Sequence, residues 1–200
     1  MTKTLPTTDT ATVKGSSRSR LNNSVLGTRN LMTVAALAVV GSLIVVPLTY
    51  MTFAIGITTQ RGMLIMCSCM GLWTIPYLLP AVIVRRPGAC VLAGLIMGII
   101  CAFTSPQGPA SIVGNVLGAV FIEAPLALML YRKWTWWSFT LSSFVFGLLN
   151  GCMTAFAMQG VENGPVLIVV AVCSALVGGA LCMVIGRAAL KAGVGQKDNA

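Results

Sequence analysis

The sequence predicts an all-α, polytopic membrane protein with six transmembrane helices and both termini in the cytoplasm. Three observations lead to this prediction. The chain of 200 residues is 56% hydrophobic and only 8% charged, whereas soluble domains carry about 25% charged residues. Its apolar residues fall in six blocks, most of them close to the roughly 20 residues that a helix needs to cross a bilayer. Its Lys and Arg residues collect at alternate connections between these blocks, as cytoplasmic loops do.

The chain divides into a tail, a membrane domain and a second tail. Residues 1–30 are rich in Thr, Ser and Asn with scattered Lys and Arg, so we expect a disordered basic cytoplasmic tail that can rest on membrane lipid. Residues 31–188 form the predicted membrane domain, and residues 189–200 form a short cytoplasmic tail. The six spans are predicted at residues 31–57, 63–84, 89–103, 110–131, 137–158 and 165–185.

The basic residues also predict the orientation of the spans. One side has the N-terminal tail, the pairs at residues 85–86 and 132–133, and the cations that follow the sixth span. The other side has only Arg61, together with the acidic Glu162. By the positive-inside rule both termini are cytoplasmic, in a multi-pass protein of the plasma membrane.

Composition excludes several classes of function. The formal charge of +9 does not indicate a nucleic-acid partner, because the cations flank apolar blocks. The chain has no His, and its seven Cys lie inside apolar blocks without a CxxC pair, so we expect no metal site and no cofactor. No Walker A motif, nucleophile–base pair or carboxylate dyad is present, so the chain is not expected to be an enzyme or an ATPase.

The fourth span carries one carboxylate, Glu123, near its middle. An ionised carboxylate in hydrocarbon costs about 2.5 kcal/mol or more, so such residues usually face a ligand, a cavity or a partner. The functional interpretation is a substrate-binding carboxylate. The alternative is a packing residue bonded to Asn150 or a serine.

Further candidates lie on neighbouring elements. Trp73 and Tyr77 are four residues apart, so they share one helix face and suit stacking on a flat ring. Pro76 and Pro80 can kink that helix and open a cavity. Three amide side chains complete the candidate substrate-binding set with Glu123, and they are Asn115, Asn150 and Gln107.

Small residues in the first span allow close approach of another helix. Ala35, Ala38 and Ser42 are the candidate docking positions for a partner subunit. The same face can instead pack against a neighbouring helix of this chain, and the sequence leaves both open.

Several short motifs occur in the order that one known family shows. They are GLW at 71–73, RRPGA at 85–89, PQGP at 106–109, EAP at 123–125, YRKW at 131–134 and GGALCMVIGRA at 178–188. Over residues 31–193 the chain resembles the substrate-binding (S) component of energy-coupling-factor (ECF) transporters, of the YkoE type. In this resemblance, Trp73 and Glu123 match positions of the family.

The resemblance implies a six-helix subunit that binds thiamin or its hydroxymethylpyrimidine precursor from outside. It also implies partners, namely a transmembrane coupling (T) subunit and two cytoplasmic ATPases that drive import. A related pyrimidine or thiazole ligand stays open. The alternatives from other classes are a structural or regulatory multi-pass protein and a stand-alone small-solute permease.

Overall fold

The computed structural model describes residues 27–55, 59–132, 134–157 and 164–193. Most of the predicted N-terminal tail and the last seven residues of the chain therefore lie outside the described residues. The described residues form seven α-helices and no strand. The helices are α1 (Gly27–Ile55), α2 (Gln60–Ser68), α3 (Met70–Val84), α4 (Ala89–Thr104), α5 (Ala110–Leu128), α6 (Trp136–Ala157) and α7 (Gly164–Lys191).

The prediction of an all-helical, polytopic membrane protein is confirmed. Within the described chain, five apolar stretches are long enough to cross a membrane, with α2 and α3 counting as one stretch, and α4 is a shorter apolar helix. The helix bounds lie within a few residues of the predicted spans at most ends, because apolar runs stop at clusters of Pro, Gly and charged residues. The sixth span is longer than predicted, since α7 continues through Arg187 to Lys191.

The second span is interrupted at Cys69, seven residues before the first of its two prolines. The side chain of Ser174 on α7 bridges this break, because its hydroxyl accepts from the Gly71 N–H at 2.8 Å and donates to the Ser68 carbonyl. Helix α3 itself continues through Pro76 and Pro80. This polar contact from α7 therefore supports the break. It gives hydrogen-bond partners to two backbone groups that could find none in the hydrocarbon of a membrane.

Helix α3 is the central helix of the bundle. All of its residues are buried except Leu72, Trp73 and Leu79. Its first turn lies directly on α7, where a Cβ on Gly178 would be only 2.0 Å from the Gly71 carbonyl oxygen. This backbone contact fixes the position of the cavity-facing part of α3.

The small-residue face of α1 packs inside the chain. Ala38 and Ser42 are buried and Ala35 is half-buried, and α1 packs against α3 and α4. The sequence left open whether these candidate docking positions face a partner subunit or this chain, and in the structure they face neighbouring helices of this chain. The opposite side of α1 is exposed, with Met32 and Leu43 most accessible.

Candidate functional site

A cavity of about 340 Å³ lies among α1, α3, α5 and α6. It is at the end of the bundle where α1 and α6 finish and α3 and α5 begin. Arg85 and Arg132 lie at the opposite end, where α3 and α5 finish. Its volume is at the lower end of the roughly 300–1,000 Å³ that small-molecule sites occupy. The cavity is therefore suited to a compact ligand.

Five of the six predicted substrate-binding residues line this one cavity. Trp73 and Tyr77 come from α3, Asn115 from α5, Asn150 from α6, and Gln107 from the connection between α4 and α5. Helical spacing brings Trp73 and Tyr77 together, whereas the amides reach the cavity only through the packing of three further elements. The structure thus places residues that are up to 77 positions apart in one site.

The inner wall of the cavity is fixed by a buried hydrogen-bonded pair. The Tyr77 hydroxyl donates to Asn115 Oδ1 at 2.8 Å, and Asn115 Nδ2 donates to the Ser111 carbonyl at 2.7 Å. The Tyr77 ring also packs against Phe146, with centroids 5.9 Å apart. Buried polar groups that are bonded in this way hold a single conformation, so Tyr77 offers a ring face and an accepting oxygen in a set position.

Other polar groups remain available to a ligand. Asn150 Nδ2 donates to the Phe146 carbonyl at 2.8 Å, which leaves its Oδ1 as an acceptor. Trp73 is half-buried, and its indole N–H has no acceptor among the described residues. The exposed Gln107 adds an amide at the mouth. The cavity therefore offers neutral donors and acceptors at several points around an aromatic wall.

None of the described residues that line the cavity carries a formal charge. Three thioethers, Met66, Met70 and Met153, and the ring of Phe121 make up much of its apolar surface. Sequence reasoning missed these residues together with Phe146, Thr49 and Thr52. A helical signal exists for Phe146, which is four residues before Asn150 and therefore shares its helix face.

Glu123 is the one predicted binding residue that does not line the cavity. Glu123 is 5% exposed, and its carboxylate accepts from the Gly88 N–H, the Val91 N–H at 2.9 Å and the Tyr131 hydroxyl at 2.9 Å. All three donors lie at the opposite end of the bundle from the cavity mouth. Glu123 therefore lies apart from the cavity that the aromatic and amide candidates line.

Glu123 lies where the start of α4 lacks a hydrogen-bond acceptor. This helix begins after Gly88, which has a left-handed backbone (φ 81°) and no side chain to cap the helix. The first N–H groups of a helix have no intrahelical acceptor, and they favour negative charge. Glu123 supplies this acceptor from α5, so a carboxylate takes the place of the missing capping side chain.

Tyr131 completes the same cluster outside the helices. Burial and, second to it, the hydrogen bond to Glu123 together raise the pKa of Tyr131 to about 12. The hydroxyl is therefore protonated at neutral pH and remains a donor. Its ring stacks on Trp134 with centroids 6.0 Å apart, which ties the connection after α5 to the start of α6.

A family model described as "ABC-type cobalt transport system, permease component" matches residues 29–149. No curated protein matches the chain. A crystal structure described as an S-component of an ECF transporter is similar in fold, with a TM-score of 0.71, 18% sequence identity, and coverage of 84% of this chain and 87% of that chain.

Proposed function

Because the chain belongs to the family of permease components of ABC-type cobalt transport systems and has the fold of an ECF S component, we propose that it is the substrate-binding membrane subunit of an ECF-type importer. The observation that carries this proposal is the convergence of Trp73, Tyr77, Asn115, Asn150 and Gln107 on one cavity. A scaffold without a ligand has no need of neutral polar groups around an aromatic-lined space of this size.

The orientation of the cavity supports uptake from outside. Its mouth is at the end of the bundle opposite Arg85, Arg86 and Arg132. If these cations are cytoplasmic, as the positive-inside rule predicts, the cavity opens to the exterior of the plasma membrane and both termini are inside. A solute would then meet Gln107 first and the Tyr77–Asn115 pair last.

The chemistry of the cavity favours a small, flat, uncharged heterocycle as the ligand. Trp73 and Tyr77 offer ring faces, and the amides offer donors and acceptors to ring nitrogens, an amino group or a hydroxyl. No carboxylate among the described lining residues would pair with a cation. Of the two compounds that the resemblance implies, hydroxymethylpyrimidine therefore suits the cavity better than thiamin, whose thiazolium could rely only on cation–π contact.

Cobalt is the second candidate substrate, because the family description names it. Divalent first-row ions are held mainly by imidazole, carboxylate or thiolate groups. The described lining residues include none of these, and the described chain contains no cluster of three or more such residues. Amide oxygens, hydroxyls and thioethers alone are a poor ligand set for Co²⁺, so we favour the organic ligand.

Transport requires energy that this chain does not supply, since its sequence contains no Walker A motif. The proposed partners are a transmembrane T subunit and cytoplasmic ATPases. Ala38 and Ser42 are buried within the chain, so a contact of α1 with the T subunit would use its exposed side, around Met32 and Leu43.

A pair of substitutions on one helix tests the proposal. Gly114 lines the cavity, and a Cβ added to it meets nothing within 4 Å. Gly114→Leu should therefore fill ligand space without a clash, and removing a helical Gly raises helix propensity by about 0.5–1 kcal/mol. Val113→Leu is the matched control, since Val113 is 70% exposed on the outer side of the same helix.

The measurement is thermal melting and calorimetric titration of the purified protein with hydroxymethylpyrimidine, thiamin and CoCl₂. A ligand at about 100 times its Kd stabilises the folded protein by roughly 2.7 kcal/mol. We expect hydroxymethylpyrimidine to stabilise the wild type and Val113→Leu in this way, and we expect no such stabilisation of Gly114→Leu. Stabilisation by none of the compounds would contradict a substrate-binding role, and stabilisation by CoCl₂ alone would assign the family's metal as cargo.

A further inference from the structure

A second concave site lies at the opposite end of the bundle from the substrate cavity. It is a groove of about 210 Å³ between the end of α3, the start of α6 and the end of α7. Arg85 and Arg187 line it from two sides, and Trp134 and Trp136 line it from a third. It shares no lining residue with the cavity that contains Trp73 and Tyr77.

The two arginines of this groove have no carboxylate partner in the described chain. Arg85 uses its Nε to donate to the Val82 carbonyl at 3.4 Å, which leaves its terminal amino groups unbonded. Arg187 makes no hydrogen bond or ion pair with a described residue. The single carboxylate among the described residues is that of Glu123, and its oxygens are occupied by Gly88, Val91 and Tyr131.

The start of α6 adds to the positive potential of the groove. Thr135 and Trp136 line it, and α6 begins at Trp136 with no acidic residue in its first turn. The first N–H groups of a helix favour an anion. Guanidinium groups facing such a helix start form a site for a phosphate oxygen.

The surroundings of the groove distinguish a lipid from a free anion. Trp134 and Trp136 place the groove in an aromatic belt, the level at which head groups lie. An exposed apolar face leads away from it along α7, where Val184 is one turn before Arg187 and is 64% exposed, followed by Leu181 at 50% and Val177 at 62%. Acyl chains can cover this face while the head group reaches the arginines.

We propose that this groove binds the phosphate group of an anionic phospholipid in the leaflet that contains Arg85 and Arg187. Basic pockets between transmembrane helices on the cytoplasmic side are suited to anionic head groups. The bound lipid fills the junction of α3, α6 and α7, and its singly charged phosphate lies between the two arginines and offsets part of their charge. This site is independent of the substrate that the cavity takes.

Native mass spectrometry of the full chain in detergent tests the proposal, with phosphatidylglycerol and phosphatidylcholine of the same acyl chains as probes. The wild type should retain phosphatidylglycerol preferentially. Arg187→Gln, on an exposed helix surface, and Arg85→Gln should each weaken this retention about fivefold, the effect of one basic residue at a membrane surface. Arg86→Gln is the matched control, because Arg86 is exposed at the same corner but does not line the groove.

The outcomes distinguish lipid binding in the groove from other causes of phosphatidylglycerol retention. An equal loss in Arg86→Gln and Arg187→Gln would overturn the proposal, because only general surface charge would then be at work. Equal retention of the two lipids, or binding of glycerol 3-phosphate in place of lipid, would also overturn it. Normal lipid preference in the double variant Arg85→Gln/Arg187→Gln, with loss of copurifying ATPases, would assign the arginines to a protein contact. Melting of each variant without lipid confirms that it is folded.

Discussion

Replacing Glu123 by Gln changes the acceptor that holds the start of α4. Oε2 accepts from Val91, and Oε1 accepts from Gly88 and Tyr131. Gln has one accepting oxygen, so in either orientation its amide nitrogen faces at least one of these donors. The substitution therefore loses at least one hydrogen bond and the negative charge that strengthens the others.

The size of the destabilisation caused by Glu123→Gln can be worked out from the three hydrogen bonds that the carboxylate accepts. A hydrogen bond to a charged group contributes about 1.5–3 kcal/mol, against about 0.5–1.5 kcal/mol between neutral groups. Losing one charge-assisted bond and weakening the other two gives a destabilisation of about 3 kcal/mol. For a chain of this size, that corresponds to a melting temperature lower by about 6–12 °C.

The assay is thermal melting in detergent combined with ligand titration of the same samples. We expect Glu123→Gln to melt early yet bind hydroxymethylpyrimidine with unchanged affinity, because Glu123 does not line the cavity. Gly114→Leu should show the opposite pattern, with stability retained and affinity lost. Unchanged melting of Glu123→Gln together with loss of ligand affinity would refute this assignment and place the carboxylate in the substrate site.

Three further substitutions test other parts of the structure. Ser174→Ala removes the bridge over the break between α2 and α3 and should lower the free energy of unfolding by about 1–3 kcal/mol; an unchanged melting curve would contradict this role. Gly178→Ala would place a Cβ 2.0 Å from the Gly71 carbonyl oxygen, so we expect a loss of monodisperse protein in size-exclusion chromatography, whereas Gly114→Ala should behave as the wild type. Tyr131→Phe removes a hydrogen bond to the Glu123 carboxylate and should lower the free energy of unfolding by about 1.5–3 kcal/mol at neutral pH. Because the pKa of Tyr131 is raised from 10.0 to about 12, its hydroxyl contributes fully below pH 10 and less as the pH rises toward 12, so the melting difference between wild type and variant should shrink over that range.

The helices could be predicted because each is a property of its own stretch of sequence. Apolar runs bounded by turn formers specify where α4, α5 and α6 begin. Trp73 and Tyr77 could be paired from spacing alone. The three amides were identified as polar groups in or next to apolar spans, but nothing in their spacing shows that α1, α3, α5 and α6 meet around one cavity.

Features that depend on distant contacts could not be predicted. The residues around Cys69 contain no Pro that would predict the break in the second span, and the side chain that bridges it belongs to Ser174, more than 100 positions away. Glu123 was identified as exceptional for its charge. Its partners are backbone N–H groups of another helix, and the one sequence hint was that Gly88 cannot cap α4 itself.

Fluorescence of Trp73 offers the most direct test of the central claim, which is that the cavity binds a flat organic ligand. Trp73 lines the cavity, whereas the other three Trp residues of the chain lie at the opposite end, around the start of α6. Titration with hydroxymethylpyrimidine should quench the emission saturably in the wild type and in Trp137→Phe, and the quenching should disappear in Trp73→Phe. Saturable quenching that persists in Trp73→Phe and is lost in Trp137→Phe would contradict the account.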